Sequence, residues 1–98
     1  MADEQFKHYR DLYLPVLRIL RDMGGAGHAE EVCKRFLARH RDQLAPSFFT
    51  DIVDGDVKWH DWVHRVHYEL KDRGYITDPR RGFWALTGKP WPANKEDF

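Results

Sequence analysis

Trp59, Val63, Val66 and Leu70 recur at i, i+4, i+7 and i+11 within "VKWHDWVHRVHYELKDRG". That period is helical. It predicts a helix with one buried apolar stripe, stopped by Gly74. The pattern then changes at once. "YIT" and "FWALT" are short, aromatic and β-branched, and "DPRRG" joins them, Asp-Pro opening a turn and glycine closing it. An amphipathic helix running straight into a β-hairpin narrows the choice of fold. The helix must bury its stripe against other helices, and the hairpin must lay its inner face on the same core.

Two further helices are available. In "FKHYRDLYLPVLRILRDMGG", Phe6, Tyr9, Tyr13, Val16, Leu17 and Leu20 form a stripe. Pro15 means that the regular helix begins near Leu12–Leu14 or kinks there, and Gly24-Gly25 ends it. In "GHAEEVCKRFLARHRD", Ala29, Val32, Cys33, Phe36 and Leu37 share a face. Acidic residues at its start and basic ones at its end complement the helix dipole, so a helix is expected from about His28 to His40. Cys33 reads as a packed small hydrophobe. Pro46, Ser47, Thr50, Asp54 and Gly55 break any period between the second and third helices. Phe48, Phe49, Ile52 and Val53 are expected to tuck into the core as a short turn. Asp51, Asp54 and Asp56 read as an acidic solvated loop, because the full calcium-loop pattern is missing.

With 98 residues the chain makes one domain at most. Residues 1–88 are expected to form it, and residues 89–98 a loosely ordered tail or linker. No apolar run approaches the ~20 residues of a membrane span, and "MADEQFKHYRD" has no apolar core of a secretory signal. A single cysteine, Cys33, fits a reducing cytoplasm. The 16 basic and 16 acidic residues cancel, which argues against a sequence-blind DNA coat protein. The charge is uneven, however. Residues 1–56 hold eight basic and ten acidic side chains, whereas residues 57–82 hold six and four, plus three histidines. An anion-binding surface therefore belongs to the second segment.

Three helices followed by a hairpin with Arg80 and Arg81 at its tip is the order of a winged helix-turn-helix, mainly α with a small β-hairpin. The local sequence also resembles the N-terminal winged-helix domain of Mrr-type restriction endonucleases. The resemblance rests on Leu-Pro-Val-Leu in "LYLPVLRIL", on Leu70 and Gly74, on Pro-Arg-Arg-Gly at residues 79–82, and on the aromatic-x-Leu-Thr at residues 84–87. It is weak through residues 43–56. It implies a module that reads double-stranded DNA, often modified, beside a nuclease or other partner domain. The family tends to hold Asn-Arg and then Trp-Ala where this chain has Asp61-Trp62 and Arg65-Val66. No Asp…Glu-x-Lys pattern follows the hairpin, so the chain is expected to be a reader and not an enzyme.

On this reading Lys58, His60, Asp61, Trp62, His64, Arg65 and Lys71 face the groove, and Arg80 and Arg81 grip the backbone. Trp62 is expected to be exposed, a ring able to stack on an extruded base. His60, His64 and His67 form a row beside the apolar stripe and suggest a metal. But His67 lies a turn beyond the others, and the helix offers no cysteine, so no metal site and no cofactor are expected. The alternative is a winged helix used for protein–protein contact, motivated by zero net charge, Asp61 and Trp62. A homodimer on two half-sites is compatible with the reader.

Overall fold

The structure, a computed structural model, describes residues 6–98. The first five residues of the expected 1–88 domain, and with them the start of the stretch searched for a secretory signal, lie outside the described residues. A 3-10 turn, Tyr9–Leu12, leads into α1, Tyr13–Asp22. Pro15 is the third residue of α1, where its missing N–H has no helical acceptor to lose. The helix thus starts at Tyr13, with the proline in its first turn, instead of kinking around it. Six of its ten residues are buried, so α1 is the central element and not a one-sided surface helix.

Strand β1, Ala26–His28, passes directly into α2, Ala29–His40. A single helical turn, α3, Ser47–Thr50, then precedes a two-rung ladder of β2, Ile52–Val53, and β3, Asp56–Val57. Asp54 and Gly55, both at positive φ, make its turn. Phe48 is buried as expected, but Phe49, on the outer side of α3, and Ile52, in the ladder, are exposed. Helix α4, Lys58–Asp72, ends where Gly74 adopts φ 86° and the Tyr75 N–H reaches back to the Leu70 carbonyl at 3.0 Å.

Strands β4, Ile76–Arg80, and β5, Phe83–Leu86, form the hairpin, closed by Arg81 and Gly82 at φ 73°. A register irregularity between Thr77 and Arg80 takes up Asp78-Pro79, and the edge position of β4 tolerates the proline. The sheet has a third strand: β1 pairs antiparallel with β5, giving the order β1-β5-β4. Helices α1, α2 and α4 and the inner face of this sheet enclose one core around Leu17, Leu20, Phe36, Val63, Val66, Leu70 and Trp84.

The last ten residues run back over the domain. Lys95 pairs with Asp11 at 2.8 Å, and the Phe98 ring meets those of Tyr13 and Tyr75 at 5.2 and 5.5 Å. Among the described residues no helix is long and apolar enough to cross a membrane.

Candidate functional site

The three histidines of α4 do two different things. His67 is 4% exposed and lies flat on Trp84, with ring centroids 4.2 Å apart and planes 5° from parallel. Its Nε2 is 2.6 Å from Asp78 Oδ1. A carboxylate only accepts, so this nitrogen carries the proton and donates. Burial lowers the His67 pKa below the usual histidine value, outweighing the pull of Asp78, so the ring is neutral. Asp78 also accepts from Lys71 Nζ at 3.1 Å. Burial pushes its pKa up, but His67 and Lys71 together hold it below the ordinary carboxylate range.

His60 and His64 turn toward α2. His60 Nδ1 contacts the Asp56 carboxylate, and its Nε2 lies 3.1 Å from both oxygens of Glu30. Burial alone would lower the His60 pKa, yet the two carboxylates outweigh it and raise it above the usual value. The His60 and His64 rings stack at a tilt, 4.6 Å apart. His64 Nε2 is 3.5 Å from Glu30 Oε1, is shielded from solvent and has no hydrogen bond. Beneath them lies Cys33, 1% exposed, whose thiol pKa is pushed up to about 12 by burial, with Glu30 and Asp56 adding to it. One ligand atom from each of Glu30, Cys33, His60 and His64 falls within 4.8 Å of the others. The grouping able to hold a metal is therefore not the histidine row of α4. It is two histidines of α4 joined to two residues of α2, and His67 has no part in it.

The other expected contacts divide between inward and outward positions. Trp62 is not the exposed ring the sequence suggests. It is half-buried between Tyr9 and Phe48, with centroids at 4.5 and 4.8 Å. Lys58 caps this cluster, its ammonium 4.4 Å from the Phe48 centroid and 5.3 Å from that of Trp62. Asp61 also turns inward, its Oδ2 shielded from water and 3.9 Å from Arg65 Nε. Only Arg65 and Lys71, of the α4 residues assigned to the groove, are exposed, and each has an acidic neighbour: Asp54 lies 3.7 Å from Arg65, and Asp78 bridges Lys71 to the sheet. Tyr68, to which the sequence assigns no contact, is 61% exposed between them and borders a shallow depression with Asp61, His64 and Arg65. Arg80 and Arg81 are exposed at the hairpin turn, Arg80 lying over the Phe83 ring at 4.5 Å. Neither forms an ion pair among the described residues.

Lys71–Asp78–His67 thus ties the outward row Arg65–Tyr68–Lys71 to the strand that carries the arginine turn. This is a mixed surface: two unpaired guanidinium groups at one end, and ion-paired cations with an aromatic hydroxyl along the helix. No protein-family model, no curated protein and no solved structure matches the chain.

Proposed function

We propose that the chain is a winged-helix module that binds double-stranded DNA, with the outward row of α4 toward the major groove and the β4–β5 turn on the phosphate backbone. One observation carries the reading: exposed Arg80 and Arg81, free of acidic partners among the described residues, project from a hairpin that Asp78 joins to the exposed face of α4. The strand order β1-β5-β4 against α1, α2 and α4 fits the winged-helix arrangement. The Leu-Pro-Val-Leu and Pro-Arg-Arg-Gly runs favour a relative of the Mrr N-terminal module, a cytoplasmic reader of modified DNA in restriction or regulation that cuts nothing itself. The set of contacts is smaller than the sequence suggests. Arg65, Tyr68, Lys71, Arg80 and Arg81 remain, while Lys58, Asp61 and Trp62 serve packing.

Fluorescence anisotropy against pools of unmodified and methylated duplexes at two salt concentrations tests this. Binding should weaken with salt, by about 0.9 in log–log slope per phosphate contacted. The double change Arg80→Ala, Arg81→Ala should flatten that slope by about two and weaken every pool alike. An unchanged slope would remove the hairpin from the interface.

A second reading has its own observation. Arg65 and Lys71 already have carboxylate neighbours, while Tyr68 and Ile52 stand 61% and 66% exposed. Neutralised cations with an exposed tyrosine and an exposed isoleucine suit a protein partner. No binding to any duplex at low salt would leave this reading in place of the first.

A further inference from the structure

We propose that Glu30, Cys33, His60 and His64 form a structural zinc site that pins the N-terminal half of α2 to the first two turns of α4. Glu30 and Cys33 are i, i+3 on one helix, and His60 and His64 are i, i+4 on the other. Each pair therefore lies on a single face, and the packing of the two helices turns those faces together. Four-coordinate zinc, with bonds of about 2.0–2.3 Å, sets its ligand atoms about 3.3–3.6 Å apart. Glu30 already stands 3.1 Å from His60 Nε2 and 3.5 Å from His64 Nε2, and all four ligand atoms lie within 4.8 Å of one another. Small side-chain rotations close that gap.

Two details point to a metal beyond proximity. The shielded Nε2 of His64 has no hydrogen-bond partner, a cost that a metal bond would remove. Asp56 engages Nδ1 of His60, the arrangement by which a carboxylate fixes a ligating imidazole with its other nitrogen toward the metal. The donors also select the ion. A thiolate with two imidazoles favours zinc over calcium or magnesium. On binding, Cys33 releases its thiol proton and His60 the Nε2 proton it directs at Glu30, both to solvent, and His60 and His64 then bind as neutral rings. One thiolate and one carboxylate then balance the dication, which leaves a charge-neutral site in a half-buried place. The depression that His64 borders contains none of the other three donors, which favours a structural role over a catalytic one for the site. It stands independently of any DNA-binding role, and a metal there would withdraw His60 and His64 from DNA.

The test uses the full, tag-free chain titrated with zinc sulfate against a chelating dye, and with cobalt(II) chloride followed by absorption. Expected are one zinc per chain, a higher thermal midpoint with zinc, and cobalt spectra showing thiolate charge transfer and the intense visible bands of four-coordination. Cys33→Ser should abolish the charge-transfer band. Glu30→Gln and His64→Gln, at partly exposed positions, should lose tight binding while the metal-free protein still folds, so they carry the test if Cys33→Ser does not fold. Asp56→Asn should weaken zinc by roughly 10- to 100-fold. His28→Gln, at an exposed histidine outside the cluster, should change nothing. The site is refuted if the wild-type chain takes up no stoichiometric zinc, or if uptake survives both Glu30→Gln and His64→Gln, which would mean adventitious chelation by surface histidines.

Discussion

Along α4, His60 and His64 look toward α2 across carboxylates, while His67, one turn on, lies dry against Trp84 of the sheet. The step from His64 to His67 is only three residues, about 4.5 Å along the axis. It carries the ring from a half-exposed ionic cluster to a packed seam. In the first, burial is partial and partners are charged, so contacts with water compete with every pairing. In the second, the ring is stacked, neutral and hydrogen-bonded, and its loss leaves a cavity and takes from Asp78 Oδ1 its donor. Residue type is the same and both spacings, four and three residues, are helical; burial decides what each histidine contributes.

The sharpest way to break this contrast is to remove the surface on which His67 lies. Trp84→Ala should cost about 3–5 kcal/mol, the range for a buried aromatic truncated to alanine. Trp59→Ala, at a half-buried tryptophan near the other end of α4, should cost roughly half as much. Urea unfolding of both variants in the presence of chelator measures the difference. Equal losses would show that the two ends of the helix are held alike.

The next prediction concerns pH. In the folded protein the His67 pKa lies below 6.5, its unfolded value. Above pH 6.5 the ring is neutral in both states and its contribution to stability is fully present. As pH falls below 6.5 the unfolded chain takes up a proton that the folded chain refuses, so stability is lost until the folded pKa is reached. His67→Phe keeps a ring against Trp84 and removes this titration. Its urea midpoint should therefore fall less than that of the wild-type chain between pH 7.5 and pH 5, a window chosen to lie above ordinary carboxylate titration. A parallel fall in both proteins would mean that His67 is not the neutral donor its burial implies.

These differences explain what the sequence could and could not reveal. The β4–β5 hairpin was legible because "YIT", "DPRRG" and "FWALT" each carry a local preference, and those preferences agree. Helix α2 was legible to within a residue or two from its stripe and end charges, and α4 from its stripe and the glycine that stops it. Strand β1 was not, since Ala-Gly-His has no strand pattern and pairs only because the free edge of β5 meets it. The Asp54-Gly55 turn did carry a hairpin signal, but two-residue strands are too short to show alternation. Trp62 looked exposed because it falls beside the stripe. The 3-10 turn at Tyr9 and the helical turn at Phe48 cover it, and neither has a period to read. The four-residue cluster was visible only as halves: Glu-x2-Cys in one helix and His-x3-His in another, with 26 residues between them. Their meeting depends on how α2 packs against α4, which no local pattern encodes.

The smallest expected effect sharpens the comparison furthest. Glu30 is 67% exposed, and its pKa is lowered chiefly by its hydrogen bond to His60, against a smaller opposing effect of burial. In metal-free protein Glu30→Gln should change stability by no more than about 0.5 kcal/mol, because an exposed pair exchanges its attraction for hydration almost evenly. With saturating zinc the same substitution should lower the thermal midpoint relative to the wild-type chain, since a ligand that binds only the folded state adds its binding free energy to stability. Chemical and thermal unfolding with and without zinc therefore separate two accounts of this end of α4. A small effect in both conditions would make the cluster an ordinary surface ion pair. A large effect without zinc would mean that the Glu30–His60 contact holds α2 to α4 by itself, and the contrast with the dry seam at His67 would disappear.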